Sequence, residues 1–222
     1  MFATHFITRE QIEQSALASD PSSILTTAEL SQFRNIGTSQ RRHNWLAGRV
    51  VAKRLLSNVL KSRFLLDYAA NEICIFNDVQ GVPRAKVENR PSLLQHLSLS
   101  ISHESGHAAC AVSFVGLVGI DIACKKNIKP MVQRYYLSDA EMQEMRSFFP
   151  DTIGPTLYWT IKEAYLKAKG VGLTESPRNT IVRISDHNYC PVLVDRSNCK
   201  INAIVQYKIM DDMILSTVQL PA

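Results

Sequence analysis

Glu163 and Lys167 stand one helical turn apart within residues 158–173, YWTIKEAYLKAKGVGL. A carboxylate can take a proton or hold a divalent cation, and an ammonium can balance charge on a phosphate. The stretch reads as a helix. Ala, Leu and Lys are good helix formers, no Pro interrupts, and Gly170 and Gly172 supply a stop. Ile161, Ala164, Tyr165 and Ala168 form an apolar stripe suited to a core. Glu163 and Lys167 lie on the other side, flanked by Trp159 and Leu166, as on the wall of a cleft. The plainer alternative is an exposed i,i+4 ion pair worth about 0.2–0.5 kcal/mol, which this stretch alone favours.

A second acidic residue shifts that balance. Residues 117–123, LVGIDIA, form a short apolar run rich in β-branched residues and read as a buried strand. Asp121 lies inside it. Asp is depleted in strands and is rarely buried without a cation or donors. Two plainer readings stay open: a strand-end Asp reaching solvent, or an Asp paired with a nearby Arg.

Together the two segments resemble the signature blocks of the phosphopantetheinyl transferases. The family pattern is (V/I)G(I/V)D, followed after a gap by (F/W)(S/C/T)xKE(S/A)xxK. Val118-Gly119-Ile120-Asp121 and the nonapeptide from Trp159 to Lys167 fill both, in that order. Length and upstream features resemble the Sfp-like branch more than the short trimeric holo-acyl-carrier-protein synthases.

The rest of the chain bounds the elements that must position these groups. The chain has 222 residues, 45% apolar and 20% charged, which suits one compact protein, either undivided or of two closely packed halves. A formal net charge of +5 and a pI near 9.0 favour acidic partners without choosing among them. Five scattered Cys with no CxxC argue against a disulfide framework or zinc site and for a reducing cytosol, so a cytoplasmic protein is expected. The start, MFATHFITRE, lacks a signal-peptide layout, and the longest apolar stretch, 108–123, is too short and broken for a membrane helix.

In chain order, residues 2–8 suit an edge strand. Thr26-x-x-Glu29 is a capping box opening a helix that stops near Gly37. Residues 38–64 read as one long helix, on which Arg42, Arg49 and Lys53 share a narrow stripe and Val51, Ala52, Leu55 and Val59 another side. The stripe suggests a polyanion edge, or more plainly a solvated basic face. Residues 72–76 suit a strand and 77–83, NDVQGVP, a turn. Residues 97–101 and 108–115 suit an antiparallel pair joined around His103. Ser138-x-x-Glu141 is a second capping box, opening a helix that ends at Pro150. Residues 180–184, 190–194, 201–209 and 213–218 read as strands of an antiparallel sheet.

The resemblance implies an α+β fold of two pseudo-symmetric halves, each a small antiparallel sheet packed with helices. They would divide as 1–116 and 117–222, with the active site between them and a monomer expected. It implies transfer of 4′-phosphopantetheine from coenzyme A to a serine of an apo carrier protein, an acidic domain, with Mg²⁺ as cofactor and adenosine 3′,5′-bisphosphate released. Asp121 and Glu163 would hold the metal. Glu163 would also serve as base, with Lys162 and Lys167 stabilising charge on the phosphates. Arg42, Arg49, Lys53, Ser102 and His103 would hold the nucleotide end. Where the family often shows Gly-(Lys/Arg)-Pro this chain has Gly81-Val82-Pro83, leaving Arg84 or Lys86 as substitutes; Glu104 replaces a usual Ser after His103. Many relatives read GIDIE, with a third carboxylate at the metal, where this chain has Ala123. That absence keeps open a non-catalytic carrier- or coenzyme-binding protein. The basic stripe alone supports a nucleic-acid-binding protein, without an aromatic-flanked motif or zinc knuckle, so no nucleic acid and no membrane partner are expected.

Overall fold

The computed structural model describes residues 2–13, 20–185 and 189–222. The chain divides into two compact units, Met1–Val115 and Gly116–Ala222, each with its own apolar core. Among the described residues no helix is long and apolar enough to cross a membrane.

The first unit begins with β1 (Phe2–Ile7) and the short α1 (Arg9–Glu13), then α2 (Thr27–Arg34) and the long α3 (Ser39–Phe64). A hairpin of β2 (Ile73–Asn77) and β3 (Pro83–Val87) follows, and β4 (Ser98–Glu104) and β5 (His107–Ser113) close the unit. The three-stranded sheet runs β1-β5-β4, all antiparallel, so β1 is the expected edge strand. Turn residues Ser105 and Gly106, both with positive φ, let β4 continue through His103. The apolar side of α3, with Val51, Ala52, Leu55 and Val59 buried, packs on this sheet.

The second unit repeats that order. It consists of β6 (Leu117–Cys124), the short α4 (Pro130–Gln133), α5 (Asp139–Phe148), α6 (Gly154–Lys169), a hairpin of β7 (Ile181–Ser185) and β8 (Cys190–Val194), then β9 (Ile204–Ile209) and β10 (Met213–Leu220). Its sheet runs β6-β10-β9. In both units the last strand is therefore central, between the first and the penultimate. The α+β class expected from the resemblance, with a small antiparallel sheet and helices in each half, is what the chain adopts. The C-terminal strands differ from expectation: they do not form one sheet. β7 and β8 form a two-stranded sheet of their own, while β9 joins β10, which pairs with β6.

Helix α6 starts a turn earlier than its Lys–Glu segment suggests. Pro155 lies in its first turn, where a missing N–H costs nothing. It stops where expected, at Gly170 with φ of 72°.

Each unit also contains a buried ionic strut of its own, built on its capping box. In the first, Thr26 caps α2 and its N–H donates to Glu29 Oε2 at 2.9 Å. Glu29 Oε1 accepts from the Ile75 N–H of β2 at 3.1 Å. Lys53 of α3 pairs with the same carboxylate and donates to Ile24 O at 2.7 Å. In the second, the Ser138 N–H donates to Glu141 Oε2 at 2.9 Å, and Glu141 Oε1 accepts from the Val182 N–H of β7 at 2.9 Å. Lys162 of α6 lies 2.8 Å from Glu141 Oε1 and donates to Tyr136 O. Lys53 and Lys162 are fully buried and their glutamates essentially so. One carboxylate thus ties a helix start, a hairpin and the long helix of each unit. Burial lowers both lysine pKa values, and the paired carboxylate opposes that.

Candidate active site

The acidic site forms in the second unit where α6 crosses β6. Alternation along β6 puts Gly119, Asp121 and Ala123 on the face toward α6. A Cβ at Gly119 would lie 1.8 Å from Ala164 O and 2.5 Å from Ala168 N, so only glycine lets the helix approach this closely. Two residues on, Asp121 meets the same helix. Its carboxylate Oδ1 accepts from Lys167 Nζ at 2.7 Å, and Asp121 is only 5% exposed. On β10 the residue opposite Asp121 is Ser216, whose hydroxyl shares a 2.7 Å hydrogen bond with Thr160 of α6. This bond holds helix and sheet together beside the site. Trp159, half-buried at the flank of α6, packs edge-on against Tyr136 with ring centroids 5.0 Å apart.

Glu163 completes the group. Its Oε1 is buried without a hydrogen-bond partner. Burial raises its pKa first and the neighbouring charge of Asp121 raises it further, while Lys167 pulls it down. An orphaned carboxylate oxygen beside a second carboxylate fits a small hard cation. Mg²⁺ commonly takes one or two carboxylates from protein and the rest from water and phosphate oxygens. Among the described residues no cluster of three or more His, Cys, Asp or Glu forms. Ala123 is buried on the Asp121 face and adds no ligand.

Lys162, expected to stabilise phosphate charge, is not part of this group. It points from α6 toward α5 and is fully buried in the strut with Glu141. The adjacent residues Lys162 and Glu163 are about 100° apart around the helix, so one faces the interior and the other the site.

The first unit has a cleft of about 400 Å³. One wall is α3, through Arg41, Asn44, Trp45, Gly48 and Arg49; the others are Asn77, Gly81 and Pro83 of the β2–β3 hairpin and Ile101 and His103 of β4. Arg49 is 8% exposed, and its guanidinium lies 4.4 Å from the Trp45 ring centroid and 3.5 Å from Glu29 Oε1. His103 reaches the cleft from the exposed end of β4.

Of the six residues expected to bind the nucleotide end, the structure therefore brings Arg49 and His103 to this cleft. The other four need correction. Arg42 turns away, donating to Ile36 O at 2.9 Å and lying over the Phe33 ring. Lys53 is sealed in the strut with Glu29. Arg84 pairs with Asp78 at 2.9 Å outside the cleft lining. Ser102 is buried on the opposite face of β4 from Ile101 and His103. Arg41, Asn44, Trp45 and Asn77 were not singled out for this cleft. The first three share one helical face with Gly48, and a glycine inside a long helix signals close approach.

Residues 117–216 match the model of the 4′-phosphopantetheinyl transferase superfamily. The chain is 26% identical over 165 residues to the 4′-phosphopantetheinyl transferase HetI of Nostoc sp. (strain PCC 7120), covering 70% of this chain and 64% of that protein. Among solved structures it is similar to the holo-[acyl-carrier-protein] synthase of Helicobacter pylori in complex with coenzyme A, at 16% identity and a TM-score of 0.40, over 48% of this chain and 100% of that one. It is also similar to the holo-(acyl-carrier-protein) synthase of Bacillus anthracis, at 23% identity and a TM-score of 0.40, over 49% and 97% of the two chains. Asp121, Glu163 and Lys167 all lie within the span that is similar to the 4′-phosphopantetheinyl transferase superfamily model.

Proposed function

We propose that this protein transfers 4′-phosphopantetheine from coenzyme A to a serine hydroxyl of an apo carrier protein, with Mg²⁺, releasing adenosine 3′,5′-bisphosphate. The observation that carries this reading is Glu163, half-buried beside Asp121 and Lys167 within the matched span, with its Oε1 buried and without a hydrogen-bond partner. Asp121 and Glu163 are the residues that would hold Mg²⁺, which when bound offsets pyrophosphate charge. Glu163 is the group we assign to receive the serine proton, directly or through a water. Lys167 is the ammonium we assign to the phosphates, where charge grows on the leaving bisphosphate. The first-unit cleft is assigned to the nucleotide end, with Arg49 and His103 as contacts and Arg41 in place of Arg42. Holding that end organises the substrate for in-line attack by reducing its freedom. The basic chain complements an acidic carrier domain, and its length and upstream residues support the Sfp-like branch.

Ala123 supports one alternative, a protein that binds coenzyme or carrier without turnover, because among the described residues the acidic group has no third carboxylate. Intact-mass analysis separates the two. Several apo carrier proteins are incubated with coenzyme A, Mg²⁺ and this protein. The expected result is a single phosphopantetheine added to at least one carrier. No mass gain on a panel that a known transferase modifies, with coenzyme A still bound, would favour the non-catalytic reading.

A further inference from the structure

Asp121 meets Lys167 where a metal ion would need its carboxylate. The ammonium is 2.7 Å from Asp121 Oδ1, and the Asp121 side chain is 8% exposed against 28% for Lys167. Asp121 is anchored on β6, whose neighbour Gly119 is pressed against α6. Lys167 has a flexible four-carbon stem and an outlet to solvent, so of the two partners it is the one able to move. The local charges are two carboxylates and one ammonium, and Ala123 adds none. A dication arriving alone would take a carboxylate from the ammonium and leave two positive groups side by side. An anion arriving with it would receive the ammonium and remove that conflict.

We propose that Lys167 is the built-in counter-ion of Asp121, and that its transfer from Asp121 to a phosphate oxygen couples metal loading to coenzyme binding. This rests on the coenzyme A reading above. Metal and coenzyme then each strengthen the other's binding, beyond whatever direct contact they make, and the coupling is reciprocal. The lysine also balances charge on the buried aspartate while the site waits for substrate.

The test is Mn²⁺ binding to the full chain, followed by electron paramagnetic resonance with and without coenzyme A. In the unaltered protein, Mn²⁺ should bind weakly alone and more tightly with coenzyme A. In Lys167→Met, Mn²⁺ alone should bind more tightly, and the ratio of the two affinities should shrink by about tenfold, within the usual range of such couplings. Lys167→Arg keeps the charge and should keep most of the ratio. An unchanged ratio in folded Lys167→Met overturns the proposal. Should that variant not fold, acetylation of Lys167 in the unaltered protein, read by peptide mass, replaces it. Saturating Mn²⁺ alone should accelerate the modification, and no acceleration overturns the proposal. If coenzyme A does not bind the unaltered protein at all, the function reading fails and this inference falls with it, an outcome distinct from an unchanged ratio.

Discussion

Glu163 is the residue on which the proposed chemistry depends. Glu163→Gln keeps shape and removes charge, so the fold should survive, as checked by circular dichroism. Transfer should fall by about 10²–10⁴-fold, the usual range for losing a general base. Near-normal turnover in the folded variant would strip Glu163 of its role. Ala123 gives a second test. It faces the same way as Asp121, so Ala123→Glu would aim a carboxylate at the same ion. Mg²⁺ should then bind more tightly in the absence of coenzyme A, as isothermal titration would show. Asp121→Ala should be severe, because it leaves Glu163 as the remaining carboxylate and Lys167 without this partner. Equal, tight Mg²⁺ affinity with and without coenzyme A in the unaltered protein would mean that another group supplies the missing ligand.

At the scale of elements, Lys162 separates structure from chemistry. As a strut it should show strong dependence on Glu141. Lys162→Met alone leaves a buried carboxylate unbalanced and should cost about 3–5 kcal/mol of stability. Removing both charges, as Lys162→Met with Glu141→Gln, should recover much of that loss and restore transfer. Were Lys162 a phosphate contact, transfer would stay lost in the double variant even as stability returned. Urea melts and turnover on the unaltered protein and these two variants decide it. Gly119 makes a further prediction about α6 and β6. Gly119→Ala places a methyl within 1.8 Å of a helix carbonyl, so α6 must lift and transfer should be lost together with stability. A stable, active Gly119→Ala would show that the helix does not need this approach.

For the molecule as a whole, the proposed function is tested by ligand-induced stability. Coenzyme A with Mg²⁺ should raise the melting temperature, since a ligand at 100 times its Kd adds about 2.7 kcal/mol to the folded state. Arg49→Ala in the first unit and Asp121→Ala in the second should each reduce that shift. Arg49→Ala and His103→Ala should also raise KM for coenzyme A while leaving kcat largely alone, as uniform binding contacts do. A full shift in Arg49→Ala, with wild-type KM in both cleft variants, would remove the first-unit cleft from the function.

Local rules made much of this protein readable in advance. The two capping boxes, the span of α3 and the glycine stop of α6 depend on residues three or four apart, and each formed where those residues stand. The buried strand around Asp121, and the demand that its charge be met, followed from the cost of burying a carboxylate. Which groups met that demand was not local. Lys167 lies 46 residues away in sequence, and only the packing of α6 over Gly119 brings it to Asp121. The phase of a helix against its neighbours was not local either. Arg42, Arg49 and Lys53 fall on one stripe by periodicity, yet α2 lies along that stripe and takes Arg42 and Lys53 for itself. Strand partners were open for the same reason. Alternation marks β7 to β10 as strands, but long-range pairing separated them into two sheets. Sequence thus determined the elements and the chemistry available to them; tertiary structure decided which charged side chains reach a site and which are spent bracing the interior of each unit. The physical reason is that a charge is useful to a substrate only where packing leaves it without a full set of protein partners, and packing is a property of the whole fold.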